Sequence, residues 1–357
     1  MKVDNKSFTS IWIDNQKKVW IIDQTKIPFQ FNTLELSNID DFIFAIKFMQ
    51  VRGAPLIGIT AAYGIYIAMQ FDTSDQNLMK AAKTLLATRP TAINLKWALD
   101  SMLEQLINIP GKDRVKKALK IANKMSEDDI KINEKIGING LQVIEKLYEK
   151  KKDKINILTH CNAGWLATVD WGTATAPIYK SRDNNIPIHI WVDETRPRNQ
   201  GSFLTSWELM NENIDHTIIA DNTGGHLMQN NLVDIVITGS DRTTYQGDVC
   251  NKVGTYLKAI AAYENNIPFY VALPSSTIDW SNNLKDIIIE ERDENEIHYL
   301  EGLDANKKIK KIRITPEYTK AKNYAFDITP SKYITGLITE NGVCSAKEQE
   351  IKKYNEK

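Results

Sequence analysis

The chain has 357 residues, more than one compact hydrophobic core usually holds, so its length predicts two domains. Hydrophobic residues make up 42% of the sequence and charged residues 25%, which excludes the disordered and fibrous classes of protein. The 45 Lys and Arg residues balance the 45 Asp and Glu residues, so no overall basic charge indicates a nucleic-acid or anionic-membrane partner.

The cysteines and the amino terminus indicate the cellular compartment. Cys161, Cys250 and Cys344 are odd in number and lack zinc-site spacing, which argues against a disulfide framework and against a structural metal. The amino terminus, MKVDNKSFTS, has no apolar core behind its lysines, and no stretch reaches the roughly 18 uninterrupted apolar residues of a membrane span. We therefore expect a cytoplasmic protein with reduced thiols and no membrane partner.

Residues 1–150 are predicted to form a small, mostly helical domain that begins with a β-hairpin. β-branched and aromatic residues at 10–14 and 19–23 flank a polar turn and predict two antiparallel strands. Apolar residues then recur at helical spacing in three segments, which predicts helices there. The segments are the one after Ser37, the one that begins at Leu95, and residues 133–152. The charged run 149–154 closes this part of the chain, and we place the domain boundary there.

From residue 151 onward, short apolar strands alternate with helical stretches, a pattern typical of a parallel sheet with helices on both faces. The five predicted strands are residues 155–159, 187–192, 217–220, 234–238 and 268–273. The motifs HCNAG, DETRP, DNTGG, GSDR and PSST follow them in that order. Because ligands bind outside the carboxyl ends of strands in open α/β sheets, these motifs are expected to meet in one crevice. A last strand region is predicted within 326–340, and a solvent-exposed tail from Lys347.

Cys161, at the end of the first of these strands, is a candidate catalytic thiol. A free cysteine is most often a small buried apolar residue. Here residues 162–164 are predicted to open a helix, whose N-terminus would lower the pKa of the thiol and stabilise a thiolate. Adjacent strand residues point to opposite faces, so His160 does not pair with Cys161 by adjacency, and we interpret it as structural.

Asp241, just past the strand at 234–238, is a candidate general acid. Its alternative role is a helix cap or an ion pair with Arg242. In a crevice shared with Cys161, apolar walls would raise the pKa of Asp241 toward the range that general acid catalysis needs. A proton donor that faces a thiolate is a pair suited to isomerisation.

Three further segments predict a site for a phosphorylated small molecule. Asn251 and Lys252 are expected in the first turns of a helix, where free backbone N–H groups suit a phosphate or a sugar hydroxyl. In VRGAPLIG, Arg52 offers a bidentate fork for phosphate, and Gly53 lets the backbone approach a ligand. Arg89, beside a proline, offers a second fork. The alternative for each arginine is a surface or interdomain ion pair.

Two classes of cofactor have no support in the sequence. It contains neither the glycine-rich fingerprint of dinucleotide sites nor a GKS or GKT phosphate loop. The carboxylates of DET and GSDR lack histidines at metal-ligand spacing. We expect no cofactor and no catalytic metal.

Long colinear motifs from about residue 51 to 342 resemble the methylthioribose-1-phosphate isomerase family of methionine salvage, a branch of amino-acid biosynthesis. The motifs are VRGAPLIGITAAYG, TRPTAINL, ILTHCNAGWLATVDWGTA, VDETRPRNQG, ADNTGGHLM, GSDRTTYQGDVCNKVGTY, PFYVALPSSTID and ITGLITENG. Two departures bear on the identity of the sugar: Ser240 stands where the family often has alanine, and Trp165 follows the glycine of HCNAG.

The resemblance implies an aldose–ketose isomerase that converts 5-methylthioribose 1-phosphate into 5-methylthioribulose 1-phosphate without cofactor or metal. It also implies a homodimer with a small N-terminal domain, residues 1–150, and a larger Rossmann-like α/β domain, residues 151–357. The family's catalytic cysteine falls on Cys161 and its proton-donor aspartate on Asp241. Its substrate-binding positions fall on Arg52, Gly53, Ala54, Arg89, Gln200, Asn251 and Lys252.

Several alternatives remain open from the sequence. The same scaffold could act on 5-deoxyribose 1-phosphate or on ribose 1,5-bisphosphate, and the latter would require a second cationic cluster. Regulatory subunits of the exchange factor for a translation initiation factor share the fold and act by binding partners, but intact motifs around Cys161 and Asp241 argue against that role. Hydrogen could move from C2 to C1 through a thiolate base and an enediolate-like species, or by a hydride shift that Cys161 stabilises.

Overall fold

The amino-terminal part consists of short strands followed by helices, in a computed structural model that describes residues 1–355. The strands are β1 (Lys2–Val3), β2 (Lys6–Ser7), β3 (Ile11–Ile13), β4 (Val19–Ile22) and β5 (Thr33–Leu36). The helices are α1 (Ile39–Lys47), α2 (Ala54–Phe71), α3 (Asp75–Leu86), α4 (Ile93–Leu106) and α5 (Gly111–Lys151). The antiparallel pairing of β3 with β4 confirms the predicted hairpin, to which β5 adds a third, unpredicted strand.

Helix α2 is the centre of the first hydrophobic core. It is apolar around its whole circumference, and it contacts α1, α3, α4 and α5. Its 18 residues are long and apolar enough to span a membrane, contrary to the expectation that no stretch would be. Because 89% of it is buried inside the protein, this helix serves here as the core element against which the other helices pack.

Helix α5 has 41 residues and contributes to two cores. Ala118 and Met125 lie in the core around α2, whereas Ile136 and Ile144 lie in the core beneath the sheet of the second part. The helix begins far before the predicted residue 133, because charged residues obscure the apolar periodicity of its first half. It ends at Lys151, close to the predicted domain boundary, but the division into two domains stays a prediction because α5 belongs to both cores.

The second part is built around a seven-stranded sheet. Its strands are β6 (Ile155–Thr159), β7 (Ile188–Asp193), β8 (His216–Ile219), β9 (Ile235–Thr238), β12 (Phe269–Ala272), β17 (Gly336–Thr339) and β18 (Gly342–Cys344). They lie in the order β18-β17-β12-β9-β6-β7-β8, and all neighbours are parallel except the pair β17 and β18. The five strands predicted from the sequence are thus confirmed, and they are adjacent in one parallel sheet.

Helices cover both faces of this sheet, as predicted. They are α6 (Ala176–Asp183), α7 (Ser206–Asn211), α8 (Thr223–Gln229), α9 (Thr255–Glu264) and α11 (Glu348–Asn355), whereas the short helix α10 (Asn295–His298) contacts the hairpin described below. Ile157 of β6 packs into the core shared with α5, α6 and α7, and the next residue, Leu158, packs into the core shared with α8, α9 and α11. The alternation follows from the period of two along a strand.

The remaining strands form a smaller sheet and an exposed hairpin. The smaller sheet, in the order β13-β10-β11-β16, contains β10 (Arg242–Thr244), β11 (Val249–Lys252), β13 (Ile278–Asp279) and β16 (Phe326–Thr329). The hairpin consists of β14 (Tyr299–Leu303) and β15 (Ile309–Arg313). The solvent-exposed tail predicted from Lys347 is wrong, because that segment forms α11 and its Ile351 is fully buried.

Candidate active site

All of the site residues predicted from the sequence line a single cleft. It lies between the N-terminus of α2 and the carboxyl ends of β6, β9 and β11. The predicted residues on its wall are Arg52, Gly53, Ala54, Arg89, Cys161, Gln200, Asp241, Asn251 and Lys252. Residues from both halves of the chain therefore share one site, at the sheet edge where the sequence motifs were expected to meet.

Cys161 occupies a constrained position directly after β6. Its φ of 67° is in the left-handed region, which a residue with a side chain adopts only when its surroundings enforce it. Two threonine hydroxyls fix this conformation: Thr195 Oγ1 accepts from the Cys161 N–H at 2.8 Å, and Thr205 Oγ1 donates to the Cys161 carbonyl at 2.8 Å. The protein thus holds the thiol in a set direction at the cleft.

The expected helix after Cys161 is absent from the described structure, and this prediction is wrong. The chain makes a short 3₁₀ turn at Trp165–Ala167, and α6 begins only at Ala176. Burial raises the pKa of the Cys161 thiol, and the positive charges of Arg52 and Lys252 oppose that rise. Two basic side chains, rather than a helix N-terminus, are therefore the groups that favour the thiolate.

His160 is engaged by groups other than the thiol beside it. Its Nδ1 lies 2.8 Å from Asp193 Oδ2, and its Nε2 lies 2.9 Å from the carbonyl oxygen of Val253. The ring is 1% exposed. These contacts join β6 to β7 and to the segment after β11, which agrees with the interpretation of His160 as structural.

Asp241 lies on the opposite side of the cleft, between β9 and β10. Its backbone N–H donates to the Cys250 carbonyl at 3.1 Å, which ties it to the start of β11. Burial raises the pKa of its carboxyl group, while Lys252, Arg89 and Arg52 oppose the rise. The direction is the one expected for a general acid in an apolar crevice.

Lys252 and Asn251 reach the cleft from a strand, not from a helix. They end β11, and α9 begins only at Thr255, so their predicted place in the first turns of a helix is wrong. Lys252 Nζ donates to the Ala325 carbonyl at 2.8 Å, and Asn251 Nδ2 donates to Thr255 Oγ1 at 3.0 Å. Both side chains are held in place by neutral acceptors.

Lys252, which is buried, and Arg52, which is partly buried, are cations that form no ion pair within residues 1–355. Arg52 instead donates to the side-chain and backbone oxygens of Asn162. Burial lowers the pKa of both groups, and the anionic forms of Cys161 and Asp241 oppose that effect. Buried charges are normally paired, so these two cations indicate a site for an anionic ligand.

Arg89 forms the ion pair that was the alternative to its predicted role in phosphate binding. It lines the cleft and also pairs with Glu290 at 2.9 Å, which is an ion pair across the two halves of the chain. The pair places one carboxylate among the cations of the site. Arg89 is therefore less available to an anionic ligand than Arg52.

Gly53 brings the start of α2 against the loop after Cys161. It is the N-cap residue, with φ 93° and ψ 138°, values that only glycine adopts readily. A Cβ atom here would lie 2.4 Å from the Ala167 carbonyl oxygen. Ala54 and Pro55 then open the helix, as expected, and this close approach puts Arg52 beside Asn162.

A second cavity of about 550 Å³ adjoins the cleft. Gln200 is the N-cap residue of the π-helical segment Gly201–Thr205. It lines both the cleft and the second cavity, and so do Met49, Arg52 and Arg292. Phe29 and Phe203, with ring centroids 5.4 Å apart, form part of the outer cavity's apolar wall. The outer cavity is therefore continuous with the cleft.

Similarity to known proteins shows which family the chain belongs to. The model of the initiation factor 2 subunit family matches residues 50–346. A methylthioribose-1-phosphate isomerase from Gluconobacter oxydans is 53% identical over 354 residues, covering 98% of this chain and 96% of the relative. The chain belongs to the methylthioribose-1-phosphate isomerase family.

Two solved structures place this family member on a shared fold. A 5-methylthioribose 1-phosphate isomerase from Pyrococcus horikoshii superposes with a TM-score of 0.84 at 35% identity, covering 98% of this chain and 96% of that chain. A translation initiation factor eIF-2B subunit delta from A. fulgidus gives 0.81 at 38% identity, covering 98% and 100%. Both confirm the mixed α/β fold, and since the two carry different names, function has to be argued from the site.

Sequence reasoning missed several residues that line the cleft of this family member. Asn162 directly follows Cys161 and binds Arg52, and Arg292 and Phe326 complete the wall on the side of β16. Asn162 could have been found, because it lies in the HCNAG motif. Arg292 lies in the charged run EERDE, where nothing distinguishes it from a surface arginine.

One group of possible metal ligands lies near the cleft in the part of the chain that the structure describes. It consists of His160, Asp193 and Asp221, whose ligand atoms lie within 4.8 Å of one another. Lys258 Nζ is 3.0 Å from Asp193 Oδ2 and also donates to the Asp221 carbonyl oxygen. The ammonium group already supplies a cation to the Asp193 carboxylate, and the Asp221 carboxylate accepts from the backbone N–H groups of Thr195 and Arg196, so the three groups form a network of ion pairs and hydrogen bonds.

Proposed function

We propose that the protein converts 5-methylthioribose 1-phosphate into 5-methylthioribulose 1-phosphate, as an aldose–ketose isomerase of methionine salvage. The observation that carries the proposal is the cleft in which the buried thiol of Cys161, the partly buried carboxyl group of Asp241 with its raised pKa, and two cations without a carboxylate partner in the described chain meet. The activity named for the Gluconobacter oxydans and Pyrococcus horikoshii relatives supports the same conclusion.

The substrate's phosphate dictates the first step. Phosphate on the anomeric oxygen blocks the simple ring opening available to ordinary aldoses, so the ring oxygen must be protonated. Asp241 is the proposed donor, because burial raises the pKa of its carboxyl group and keeps a proton available at higher pH. Proton transfer to the ring oxygen breaks its bond to C1 and leaves C1 electron-poor.

The second step moves hydrogen from C2 to C1. In the proton route, the Cys161 thiolate removes the C2 proton and an enediolate-like species forms; the thiol then returns a proton to C1 while the 2-hydroxyl group loses its proton and becomes the carbonyl. In the hydride route, the C2 hydrogen moves with its electron pair to C1 while the 2-hydroxyl group loses its proton and becomes the carbonyl. Since burial raises the pKa of Cys161, the proton route additionally requires the positive charges of Arg52 and Lys252 to hold the thiolate.

The phosphate and sugar are positioned by basic and amide side chains. Arg52 and Lys252 are the proposed phosphate ligands because neither is paired with a carboxylate in the described chain, and Arg89 assists them. Gln200 and Asn251 offer neutral groups to the sugar hydroxyls, and the backbone at Gly53 and Ala54 closes the site. Because these side chains hold the substrate in one orientation, part of the binding energy lowers the activation barrier of the reaction. The walls of the cleft exclude water from the intermediate.

A turnover assay on the purified protein tests the function. 5-Methylthioribose 1-phosphate is compared with 5-deoxyribose 1-phosphate and ribose 1,5-bisphosphate, with and without a chelator. The first sugar is expected to react fastest, because Phe29 and Phe203 give the outer cavity an apolar wall and two of its cations, Arg198 and Arg292, are both paired with Glu296. Faster turnover of the bisphosphate would overturn the assignment of the sugar. Binding without turnover of any of the three would favour the regulatory role.

Two variants test the residue roles. Cys161→Ser and Asp241→Asn are expected to fold normally and to lose at least about 100-fold in kcat. Cys344→Ser is the matched control, since Cys344 is equally buried but lies on β18, away from the cleft. Near wild-type turnover in either site variant would remove that residue from the mechanism. Deuterium from solvent at product C1 would indicate the proton route, and its absence the hydride route.

The assembly, location and domain division are also proposals. We expect a cytoplasmic homodimer whose C-terminal domain, residues 151–357, is Rossmann-like and whose N-terminal domain, residues 1–150, closes the cleft. Exposed apolar side chains support the dimer: Leu303 is 51% and Ile312 is 57% exposed on the β14–β15 hairpin. Sedimentation equilibrium measures the assembly, and a monomer at micromolar concentration would contradict it.

A further inference from the structure

Glu208 is a fully buried carboxylate behind the loop that carries Cys161. It lies on α7 and is 0% exposed. Its oxygens accept four hydrogen bonds, and three of the donors follow Cys161 closely in the chain. They are Asn162 Nδ2 at 2.9 Å, Leu166 N at 3.0 Å, Trp165 N at 3.1 Å and Tyr179 OH at 2.9 Å. One side chain therefore holds the loop that shapes the cleft.

Asn162 connects Glu208 to the groups that face the ligand. Its amide nitrogen donates to Glu208 and also to Thr205 Oγ1 at 3.1 Å, and its amide oxygen accepts from Arg52. Thr205 in turn donates to the Cys161 carbonyl at 2.8 Å. The Arg52 guanidinium and the Cys161 backbone are thus joined to Glu208 by continuous hydrogen bonds.

We propose that Glu208 is a positioning residue of the isomerase reaction, which acts through Asn162 to hold Arg52 and Cys161 in the geometry that the substrate requires. The inference rests on the proposed function and extends it, because Glu208 is not among the residues that line the cleft. Glu208 has no role in the two chemical steps proposed above, and this inference gives its buried carboxylate one.

The environment of Glu208 fits an ionised carboxylate and does not fit its amide. Two donors approach each oxygen, so glutamine would place its NH₂ group against two further donors. Burial raises the pKa of Glu208 to about 7, and the hydrogen bonds from Asn162, Leu166 and Tyr179 oppose that rise. A packed apolar residue would avoid the cost of burying this charge. Packing alone therefore does not account for a glutamate here.

The loop itself is shaped around this carboxylate. A Cβ atom at Gly164 would lie 1.7 Å from Glu208 Oε2, so the approach requires glycine at that position. The side chains of Asn162 and Tyr179 converge on Glu208 from different elements of the fold. The loop, α6 and α7 are consequently joined at a single point directly behind Cys161.

The test compares Glu208→Gln with Asp129→Asn. Asp129 is a matched control, because it is also buried, has a pKa raised by burial to about 7, and accepts from Val169 N at 2.7 Å at the far end of the same loop. Glu208→Gln is expected to lower kcat on the order of 10- to 100-fold, as displaced reacting groups do, whereas Asp129→Asn should lower it less than about 3-fold. Equal losses in the two variants, or no loss in Glu208→Gln, would overturn the proposal.

Iodoacetamide alkylation of Cys161, followed by peptide mass spectrometry over a range of pH, gives a readout that needs no substrate. Because the charge of Arg52 lowers the pKa of the thiol, displacement of Arg52 should shift the alkylation profile to higher pH in Glu208→Gln and not in Asp129→Asn. An unshifted profile in Glu208→Gln refutes the positioning role. Failure of the wild type to turn over the sugar phosphate would refute the proposed function instead.

A double mutant shows whether Glu208 acts through Asn162 or only stabilises the fold. In the Asn162→Ala background, Glu208→Gln should cost little further activity, because the connection is already cut. Independent, additive losses would contradict the proposal. If Glu208→Gln does not fold, Tyr179→Phe removes one hydrogen bond at Oε2 and should shift the alkylation profile in the same direction. No shift in that variant would count equally against the proposal.

Discussion

Replacement of Gly53 by alanine would disturb the contact that brings α2 against the loop after Cys161. Gly53 has φ 93° and ψ 138°, a conformation that L-residues rarely adopt. The added Cβ atom would lie 2.4 Å from the carbonyl oxygen of Ala167 and 2.5 Å from its Cα. Both are main-chain atoms of the loop, so no flexible side chain can move aside to make room.

The magnitude follows from two costs and one gain. A residue forced into a sparsely populated backbone region costs about 1–3 kcal/mol. Overpacking against a fixed main chain costs roughly another 1–3 kcal/mol. Lower entropy of the unfolded chain returns only about 0.4–1 kcal/mol. We therefore expect Gly53→Ala to lower the free energy of unfolding by about 1–5 kcal/mol, the sum of these terms.

Two assays measure the effect. Urea unfolding gives the free energy of unfolding, and kcat/KM for 5-methylthioribose 1-phosphate reports whether Arg52 has moved. Gly302→Ala on β14 is the matched control, since nothing lies within 4 Å of its added Cβ atom; it should change stability by less than about 0.5 kcal/mol. If Gly53→Ala matched the control in both assays, the reasoning about the contact with Ala167 would be refuted.

Two predictions concern pH. Burial raises the pKa of Asp241, so kcat/KM should fall as pH rises through that raised value, because the donor then loses its proton. A pH–rate profile measures this decline. The residual activity of Asp241→Asn should not show it. Burial would also raise the pKa of Glu296, but hydrogen bonds and charge from Arg292, assisted by Arg198, lower it from 4.5 to about 2. Because the folded value is the lower one, this stabilisation is complete above pH 4.5 and is lost as pH falls toward 2. Urea midpoints at pH 5, 4 and 3 should therefore fall less steeply for Glu296→Gln than for the wild type.

The parallel sheet could be predicted from the sequence because its strands are buried on both faces. Such strands are short, nearly continuous apolar runs, and Ile155–Thr159 and Ile235–Thr238 have this composition. The convergence of the site also followed from topology, because all carboxyl ends of parallel strands meet at one edge. The proposed substrate-binding roles of Ala54 and Gln200 came from family resemblance, since nothing in their local composition indicates a ligand.

What sequence reasoning could not supply depends on contacts between distant segments. Asn251 and Lys252 have low strand propensity, and β11 forms because β16, more than 70 residues later, pairs with it. The segment after Cys161 was expected to open a helix, but three hydrogen bonds to Glu208 hold most of it in an irregular loop. Glu208 itself gave no signal, because a glutamate in the short helical stretch SWELMN is indistinguishable from a surface residue until its burial is known.

Helix α5 has a consequence for how the chain can be divided. Its first half completes the core around α2, and its second half completes the core under the sheet. A fragment that stops at residue 150 would expose Ile136 and Ile144 to water, and a fragment that starts at 151 would lose the part of the core that α5 supplies on one face of the sheet. A cut at this boundary would leave each fragment without part of a core, so a chain rearranged for engineering should be opened elsewhere, for example at the exposed tip between β14 and β15.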